Sequence, residues 1–222
     1  MYSVIIPAAG RGARMGLAHN KLFYKVSQHT IIEHTVHTFT TDEKCKQIIL
    51  TVSHADLEKM KEIFANDPAI KIVIGGETRQ ASIYNALEWV TEEIVLVHDG
   101  ARPFVSADLI GACYDVAKKG FGAISAVMPK DTVKQQSGGI INKTLSRDQL
   151  VMVQTPQAFP TALLKRANQL AGNNLNLETD DASLVEKYTD VDIRVVEGDY
   201  KNIKFTTPED IEYFKFLMKE RK

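Results

Sequence analysis

The chain has 222 residues, of which 44% are hydrophobic and 25% charged, and its formal net charge at pH 7 is −1. A chain of this length and balance can bury a sizeable core, and it has no overall basic field that would attract nucleic acid or an anionic membrane. No apolar stretch approaches the roughly 18 residues of a membrane span, and the first residues do not resemble a signal peptide. We therefore expect a single cytoplasmic domain over residues 1–222, with no nucleic-acid or membrane partner.

Short apolar runs alternate with helical patterns from the first residue to about residue 128. The runs predict strands at 2–6, 47–52, 70–74, 94–97 and 122–128, and the patterns predict helices at about 30–39, 55–64, 80–90 and 106–119. Continuous apolar runs of this kind are expected of strands that are buried on both faces. The alternation predicts an α/β fold with a mostly parallel, Rossmann-like sheet and helices on both faces.

This alternation stops at Pro129, and residues 131–154 show no helical period. Two strand-like segments there flank the turn sequence Ser-Gly-Gly at 137–139, which predicts an inserted β-hairpin. We call residues 131–154 the arm. Because the arm carries apolar residues and has no evident core to pack on, we expect it to join two subunits into a homodimer. The rest of the chain predicts helices at 160–171, at 181–188 and from Thr207-Pro208 onward, with a strand at 192–197.

The loop after the first predicted strand carries the strongest chemical signal. It contains Gly10 and Gly12, followed by Arg14 and Lys21. Glycines let the backbone approach a ligand closely, and free N–H groups in such a loop favour anions. A turn between a strand and a helix can carry two glycines without any ligand, but the two added cations favour a polyphosphate site.

Two common glycine-rich nucleotide motifs do not fit this loop. A Walker loop requires Lys-Ser or Lys-Thr after its last glycine, which is absent here. A dinucleotide fingerprint requires a third glycine where the chain has Met15. The acidic residue that this fingerprint expects about 20 positions on could be Glu33, but Glu33 lies inside a helical pattern. The sequence therefore argues against a P-loop protein and against a dehydrogenase.

Polar residues also follow the strands predicted at 70–74 and 94–97, at the sheet edge where ligands of open α/β proteins bind. The first segment, 75–82, has glycines for close approach together with Arg79 and Ser82. It could also be a simple turn before a capped helix. The second segment contains His98 and Asp99.

Asp99 could hold Mg²⁺ beside a polyphosphate, since magnesium prefers one or two carboxylates plus phosphate oxygens. It could instead cap a turn. For His98 we favour a packed side chain over a general base. Spacing alone would leave Lys204 a solvated surface charge. Because no nucleophile or paired-carboxylate signature is evident, these residues suit direct in-line phosphoryl or nucleotidyl transfer, in which the protein positions reactants and neutralises charge.

An ordered set of motifs resembles the 2-C-methyl-D-erythritol 4-phosphate cytidylyltransferases of the non-mevalonate isoprenoid pathway, nearly from end to end. Any one of these motifs occurs in other sugar nucleotidyltransferases, but the ordered set is specific. The motifs are Pro-Ala-Ala-Gly-x-Gly-x-Arg-Met at 7–15, Asn-Lys-Leu-Phe at 20–23, Gly-Gly-Glu-x-Arg-Gln-x-Ser at 75–82, Val-His-Asp-Gly-Ala-Arg-Pro-Phe at 97–104, Lys-Asp-Thr-Val-Lys at 130–134, Gln-Thr-Pro-Gln-Ala-Phe at 154–159, Thr-Asp-Asp-Ala-Ser at 179–183 and Val-Val-Glu-Gly followed by Asn-Ile-Lys over 195–204.

The resemblance implies a nucleotidyltransferase fold with a dimerisation arm and a transfer of CMP from CTP to 2-C-methyl-D-erythritol 4-phosphate (MEP). It implies that Arg14, Lys21 and Lys204 stabilise charge at the α-phosphate and that Asp99 holds Mg²⁺. It further implies that cytosine and ribose are bound by Ala8, Ala9, Gly10, Gly76, Glu77, Arg79 and Ser82. MEP would be recognised by Arg102, Thr132, Arg147 and Thr155, of which the last three would act in the partner's site.

One departure and two alternatives accompany this resemblance. Many relatives have Pro-Lys-Gln where this chain has Asn20-Lys21-Leu22. The lysine is kept, although the loop can enter at a different angle. Ribitol-5-phosphate cytidylyltransferases share most of the nucleotide motifs and the arm. A non-catalytic nucleotide-binding module would be marked by loss of one of the four catalytic charges, and all four are present.

Overall fold

The predicted apolar runs form strands of one seven-stranded sheet, which also contains a strand that was not predicted, in the computed structural model. The structure describes residues 1–10, 20–65, 67–172, 179–207 and 210–220. The strands in chain order are β1 (Tyr2–Pro7), β2 (Lys25–Val26), β3 (His29–Thr30), β4 (Cys45–Val52), β5 (Ile70–Ile74), β6 (Ile94–Val97), β7 (Gly122–Val127), β8 (Lys134–Ser137), β9 (Ile140–Thr144), β10 (Met152–Pro160) and β11 (Ile193–Glu197). The order across the large sheet is β11-β7-β10-β6-β1-β4-β5, while β2 pairs with β3 and β8 with β9.

The large sheet is mostly parallel, as predicted, but β10 runs antiparallel between β6 and β7. This strand was not predicted, because residues 152–154 were assigned to the arm and residues 155–159 to no element. Pro156 within the run argues against a central strand, since proline cannot donate to the ladder. The pairing of β10 with β7 is irregular between Val153 and Gln157, which is where a proline is tolerated.

Helices cover both faces of the sheet. They are α1 (Ile31–Thr40), α2 (Leu57–Phe64), α3 (Arg79–Leu87), α4 (Ala107–Ala117), α5 (Thr161–Ala171), α6 (Asp181–Tyr188) and α7 (Asp210–Glu220). Thr30, the first residue of the helix predicted at about 30–39, caps α1, and Glu33 completes a capping box with it. Glu33 is therefore a helix cap and not the ribose-binding acid of a dinucleotide site. None of the helices in the described ranges is both long and apolar enough to traverse a lipid bilayer.

Two apolar clusters form the core, one on each face of the sheet. Alternate residues of β1 contribute to them, because Val4 and Ile6 belong to one cluster and Ile5 to the other. The first cluster takes side chains from α1, α2, α4 and α7, and the second from α3, α5 and α6. All three β1 side chains are fully buried. The strand that leads into the glycine-containing loop is therefore held rigidly from both sides.

The arm forms the predicted hairpin, in which β8 pairs with β9. Its boundaries are shorter than predicted, since residues 152–154 belong to β10. Apolar side chains on the hairpin are solvent-exposed in the single chain, with Ile140 71% and Ile141 57% exposed. The hairpin is thus held by its own ladder and presents apolar surface outward.

Candidate active site

A cleft of about 380 Å³ opens at the carboxyl edge of the large sheet, beyond the ends of β1, β5 and β6. This is the edge predicted from the sequence, where open α/β sheets bind their ligands. The predicted site residues that line the cleft are Ala8, Ala9, Gly10, Lys21, Gly76, Glu77, Arg79, Ser82, Asp99 and Lys204. Arg14, the remaining residue predicted to be catalytic, lies outside the described residues.

Three cationic side chains surround the carboxylate of Asp99, a residue that is 8% exposed. Lys204 Nζ lies 2.9 Å from Asp99 Oδ2, and Arg102 Nε lies 3.4 Å from the same oxygen. Arg79 Nε lies 3.7 Å from Asp99 Oδ1. Burial alone would raise the pKa of Asp99, but the neighbouring charges, that of Lys204 first, hold this pKa well below its usual range. The cleft thus combines an ionised carboxylate with an excess of positive charge, which suits a polyphosphate.

Asp181 holds Arg79 from the side away from Asp99. Asp181 is fully buried at the start of α6, and its Oδ2 lies 2.8 Å from Arg79 Nη2. Complete burial raises the pKa of the Asp181 carboxyl, although the adjacent guanidinium opposes this shift. Gln157 of β10 ties the start of α6 to the sheet, since its amide donates to Asp180 Oδ2 at 2.6 Å. The orientation of Arg79 is therefore set by a carboxylate on each side.

The segment after β11 brings a second lysine to the cleft. Lys204 reaches Asp99, and the backbone beside it is fixed because Phe205 N–H donates to the carbonyl of Ala101 at 2.8 Å. Lys21 Nζ donates to the carbonyl of Phe205. Arg102 Nη1 donates to the carbonyl of Asn202 at 2.7 Å. Lys21 and Lys204, which are remote in the sequence, thus lie on the same wall of the cleft.

The glycine-containing segment after β5 is tightly packed against α3. A Cβ on Gly76 would lie 2.5 Å from the Cβ of Ala81, so a side chain cannot be accommodated without a shift. Ser82 Oγ accepts from the N–H of Gly76 at 3.0 Å and donates to the carbonyl of Thr78 at 2.8 Å. Ser82, predicted to bind the nucleotide, lines the cleft while its hydroxyl is bonded to the loop. The loop therefore presents a pre-organised backbone surface to a ligand.

His98 is a packed side chain, as favoured from the sequence. It is fully buried, its Nε2 lies 2.9 Å from the carbonyl of Arg102, and its Nδ1 lies 3.2 Å from Thr155 Oγ1. A carbonyl can only accept, so Nε2 carries the proton and Nδ1 accepts from the Thr155 hydroxyl. Burial lowers the pKa of His98 to about 4. The imidazole is therefore neutral near pH 7 and serves as a buried hydrogen-bond bridge.

Thr155, which is predicted to recognise MEP in the partner's site, is buried in its own chain. It is 5% exposed and lies next to Asp99 of its own chain, whose backbone N–H donates to Thr155 Oγ1 at 3.0 Å. The physical reason is that β10 is a central strand, so Thr155 lies inside the sheet. In this chain its hydroxyl accepts the hydrogen bond that fixes the backbone of Asp99.

The remaining predicted MEP-binding residues lie outside the cleft lining. Arg102 packs beside Asp99, as described above. Thr132 and Arg147 are exposed on the arm, where Arg147 Nη1 donates to the carbonyl of Lys130 at 2.7 Å. The single chain thus brings together the residues predicted to bind cytosine and ribose, and it leaves Thr132 and Arg147 exposed to solvent.

We expect the protein to lose stability as the pH falls from about 6.5 to about 4, because the unfolded chain protonates His98 and the folded chain resists it. The folded pKa is depressed, so the contribution is complete above the unfolded pKa and disappears as the pH falls through the folded one. A shift of this size corresponds to about 3 kcal/mol. Urea unfolding at a series of pH values measures it. A His98→Gln variant should show a shallower slope in this window, and an unchanged slope would contradict the assignment.

The fold and the cleft together define a class of protein. A buried strand leads into a small-residue segment, cations gather around one ionised carboxylate, and glycine-containing backbone also lines the cleft. This arrangement at the carboxyl edge of a mostly parallel sheet is that of a nucleotide-binding α/β protein with a site for transferable phosphates.

Comparisons with known proteins narrow this class. The family model for 2-C-methyl-D-erythritol 4-phosphate cytidylyltransferase (IspD) matches residues 2–220. A relative with this name from Bacillus thuringiensis is 45% identical over 215 residues, which cover 95% of each chain. Another from Bacillus velezensis is 42% identical over 222 residues, covering 98% of this chain and 96% of the relative.

Solved structures agree with the sequence matches. The 4-diphosphocytidyl-2C-methyl-D-erythritol synthase of Anaerococcus prevotii superposes with a TM-score of 0.85 at 33% identity, covering 99% of this chain and 96% of that one. The Francisella tularensis 2-C-methyl-D-erythritol 4-phosphate cytidylyltransferase gives 0.83 at 35% identity, covering 97% and 98%. The chain therefore belongs to the 2-C-methyl-D-erythritol 4-phosphate cytidylyltransferase family of nucleotidyltransferases, as its motifs predict.

Proposed function

We propose that this enzyme transfers CMP from CTP to MEP, giving 4-diphosphocytidyl-2-C-methyl-D-erythritol and pyrophosphate. A phosphate oxygen of MEP attacks the α-phosphorus of CTP, a new P–O bond forms, and the bond to the bridging oxygen of the β-phosphate breaks. The observation that carries the proposal is the convergence of Lys21, Lys204 and Asp99 on a cleft that is also lined by the glycine-containing segments at Gly10 and Gly76. Membership of the family supplies the substrate pair.

The residues of the cleft fit distinct roles in this reaction. We propose that Lys21 and Lys204 stabilise the negative charge that develops at the α-phosphate, with Arg14 as a third cation. The backbone at 8–10 and the loop at 76–82 are proposed to hold cytosine and ribose. Arg79 is held by ion pairs with Asp99 and Asp181 and gives the lining of the cleft a fixed positive charge. Pre-organised charges need no rearrangement during the reaction, which is the source of their catalytic effect.

We propose Asp99 as a ligand of Mg²⁺ in the substrate complex. Within the described ranges, no group of three or more His, Cys, Asp or Glu residues is arranged to hold a metal ion. A single carboxylate beside a triphosphate still fits magnesium, which takes one or two carboxylates and completes its shell with phosphate oxygens and water. When bound, the ion would neutralise triphosphate charge. The low pKa of Asp99 keeps the carboxylate available for this role.

We also propose a homodimer formed through the arm, and a cytoplasmic location, where CTP is available. The exposed Ile140 and Ile141 support the dimer, because a hairpin with apolar side chains directed outward gains stability when a second surface covers them. In such a dimer the exposed Thr132 and Arg147 would recognise MEP in the partner's cleft. Recognition of an anionic acceptor by an arginine suits the chemistry.

Removal of the hairpin is expected to convert the dimer into a monomer. Residues 134–144 would be replaced by a short Gly-Ser linker, which leaves β7 and β10 intact. Light scattering at several protein concentrations gives the mass. A charged variant, Ile140→Asp with Ile141→Asp, keeps the hairpin and should weaken association in the same direction. A dimer that persists in both variants would contradict the role of the arm.

The proposed reaction is tested by pyrophosphate release with CTP and Mg²⁺, in parallel reactions with MEP and with ribitol 5-phosphate. We expect release with MEP and background release with ribitol 5-phosphate. Release with ribitol 5-phosphate alone would retain the transfer chemistry and overturn the acceptor. Binding of CTP without release with either acceptor would overturn the catalytic function.

A further inference from the structure

Asn20 occupies a buried position between the loop and Lys21. It is 4% exposed and lies in the wall of the cleft. Its Nδ2 donates to the carbonyl of Ala8 at 2.8 Å and to Asp56 Oδ2 at 3.1 Å. Its Oδ1 accepts from the N–H of Leu22 at 3.1 Å. Both Nδ2 and Oδ1 of the amide are therefore hydrogen-bonded, and each bond joins Asn20 to a different part of the chain.

Each bond constrains the short turn that carries Lys21. The bond to Leu22 caps the 3₁₀ helix Lys21–Phe23, and Asn20 is the N-cap residue of that helix. The bond to Ala8 joins the turn to the end of β1. The bond to Asp56 joins it to the segment after β4, where Ser53 Oγ donates to the same carboxylate oxygen at 2.8 Å. The turn is therefore anchored to the end of β1 and to the segment that follows β4.

The chemistry of these three bonds requires a side-chain amide of this length. The carbonyl of Ala8 and the carboxylate of Asp56 need a donor, whereas the N–H of Leu22 needs an acceptor. A carboxylate at position 20 would supply the acceptor but no donor, and it would place two negative charges together. A proline at this position would supply neither a side-chain donor nor a side-chain acceptor.

We propose that Asn20 is a positioning residue that holds Lys21 at the angle needed to neutralise charge at the α-phosphate. The inference rests on the proposed function, because it assigns Asn20 an effect on the same transfer step. A lysine that is displaced by about 1 Å loses much of its effect on a transition state, while substrate binding changes less. The expected signature is therefore a loss in kcat with little change in KM.

The test is the near-isosteric variant Asn20→Asp, assayed by pyrophosphate release from CTP with MEP. We expect kcat to fall about tenfold or more, with KM for each substrate within about threefold of the parent. Combining Asn20→Asp with Asp56→Asn swaps the amide and the carboxylate and restores one donor–acceptor pair. This double variant should recover part of the lost kcat, while Ala8 remains without its bond.

Asn168→Asp is the matched control. Asn168 is 1% exposed and donates to the carbonyl of Leu164 within α5, and it is not in the cleft lining. The control should lose thermal stability and keep kcat within about twofold. Asn20→Asp with unchanged kcat, an equal kcat loss in the control, or no recovery in the double variant would each overturn the positioning role. A parent enzyme that releases no pyrophosphate would instead overturn the proposed function, and the inference with it.

Discussion

Replacing Lys21 with alanine is expected to lower kcat by about 100- to 1000-fold while the fold is retained. The ammonium group lines the cleft and donates to the carbonyl of Phe205, so its position is defined before substrate binds. Removing a pre-organised charge that faces the reacting phosphate raises the barrier more than it weakens binding of the ground state. The backbone of the turn is held separately by Asn20, which explains why the variant should still fold.

Pyrophosphate release measures the change in kcat, and circular dichroism with a thermal melt reports on the fold. Lys25→Ala is the matched control, because Lys25 is an exposed lysine on β2, a few residues from the same turn. It should keep kcat within about twofold. Turnover near that of the parent in folded Lys21→Ala protein would remove Lys21 from the mechanism.

Replacing Asp99 with asparagine is expected to damage both activity and stability. The change leaves Lys204, Arg79 and Arg102 around a neutral amide, so Lys204 and Arg102 lose the carboxylate they share and Arg79 keeps only Asp181. Removing one partner of a buried ion cluster costs about 3–5 kcal/mol of unfolding free energy. We expect kcat to fall about 100-fold, since the proposed Mg²⁺ ligand is lost as well.

The effect on stability should depend on pH with a defined sign. The folded pKa of Asp99 is depressed, so its stabilisation is present above the unfolded pKa near 4 and is lost as the pH falls towards the folded value. In urea unfolding, the difference in unfolding free energy between the parent and Asp99→Asn should therefore become smaller below about pH 4. Asp192→Asn is the control, because its ion pair with Arg194 is exposed and worth at most about 1 kcal/mol. A gap that is constant with pH would contradict this account of the cluster.

The parts of the fold that depend on local pattern could be predicted from the sequence. The strands predicted at 70–74 and 94–97 coincide with β5 and β6, because short apolar runs bounded by glycine or polar residues define them without reference to the rest of the chain. The helix predicted at about 30–39 lies within one residue of α1, because its apolar residues recur at helical spacing. Asp99 was found because it lies two residues beyond the end of β6.

The parts that depend on distant contacts could not be predicted from local pattern. Lys204 looked like a surface charge by spacing, and only its family motif marked it, since its partner Asp99 is remote in the chain. Asp181 has the same local pattern as any acidic residue in a first helical turn, and burial against Arg79 distinguishes it. The strand β10 was hidden by Pro156, because its irregular pairing with β7 has no sequence signature of its own.

The direction of β10 decides where the arm leaves the molecule. Met152 at the start of β10 pairs with Val127 at the end of β7, so the connection between the two strands crosses the carboxyl edge of the sheet. A parallel strand in this place would have required the chain to cross to the opposite edge before re-entering. The inserted hairpin therefore emerges at the edge of the sheet where the cleft opens. Because the hairpin lies between the paired ends of β7 and β10, its length can change without altering the pairing of β10 with β6.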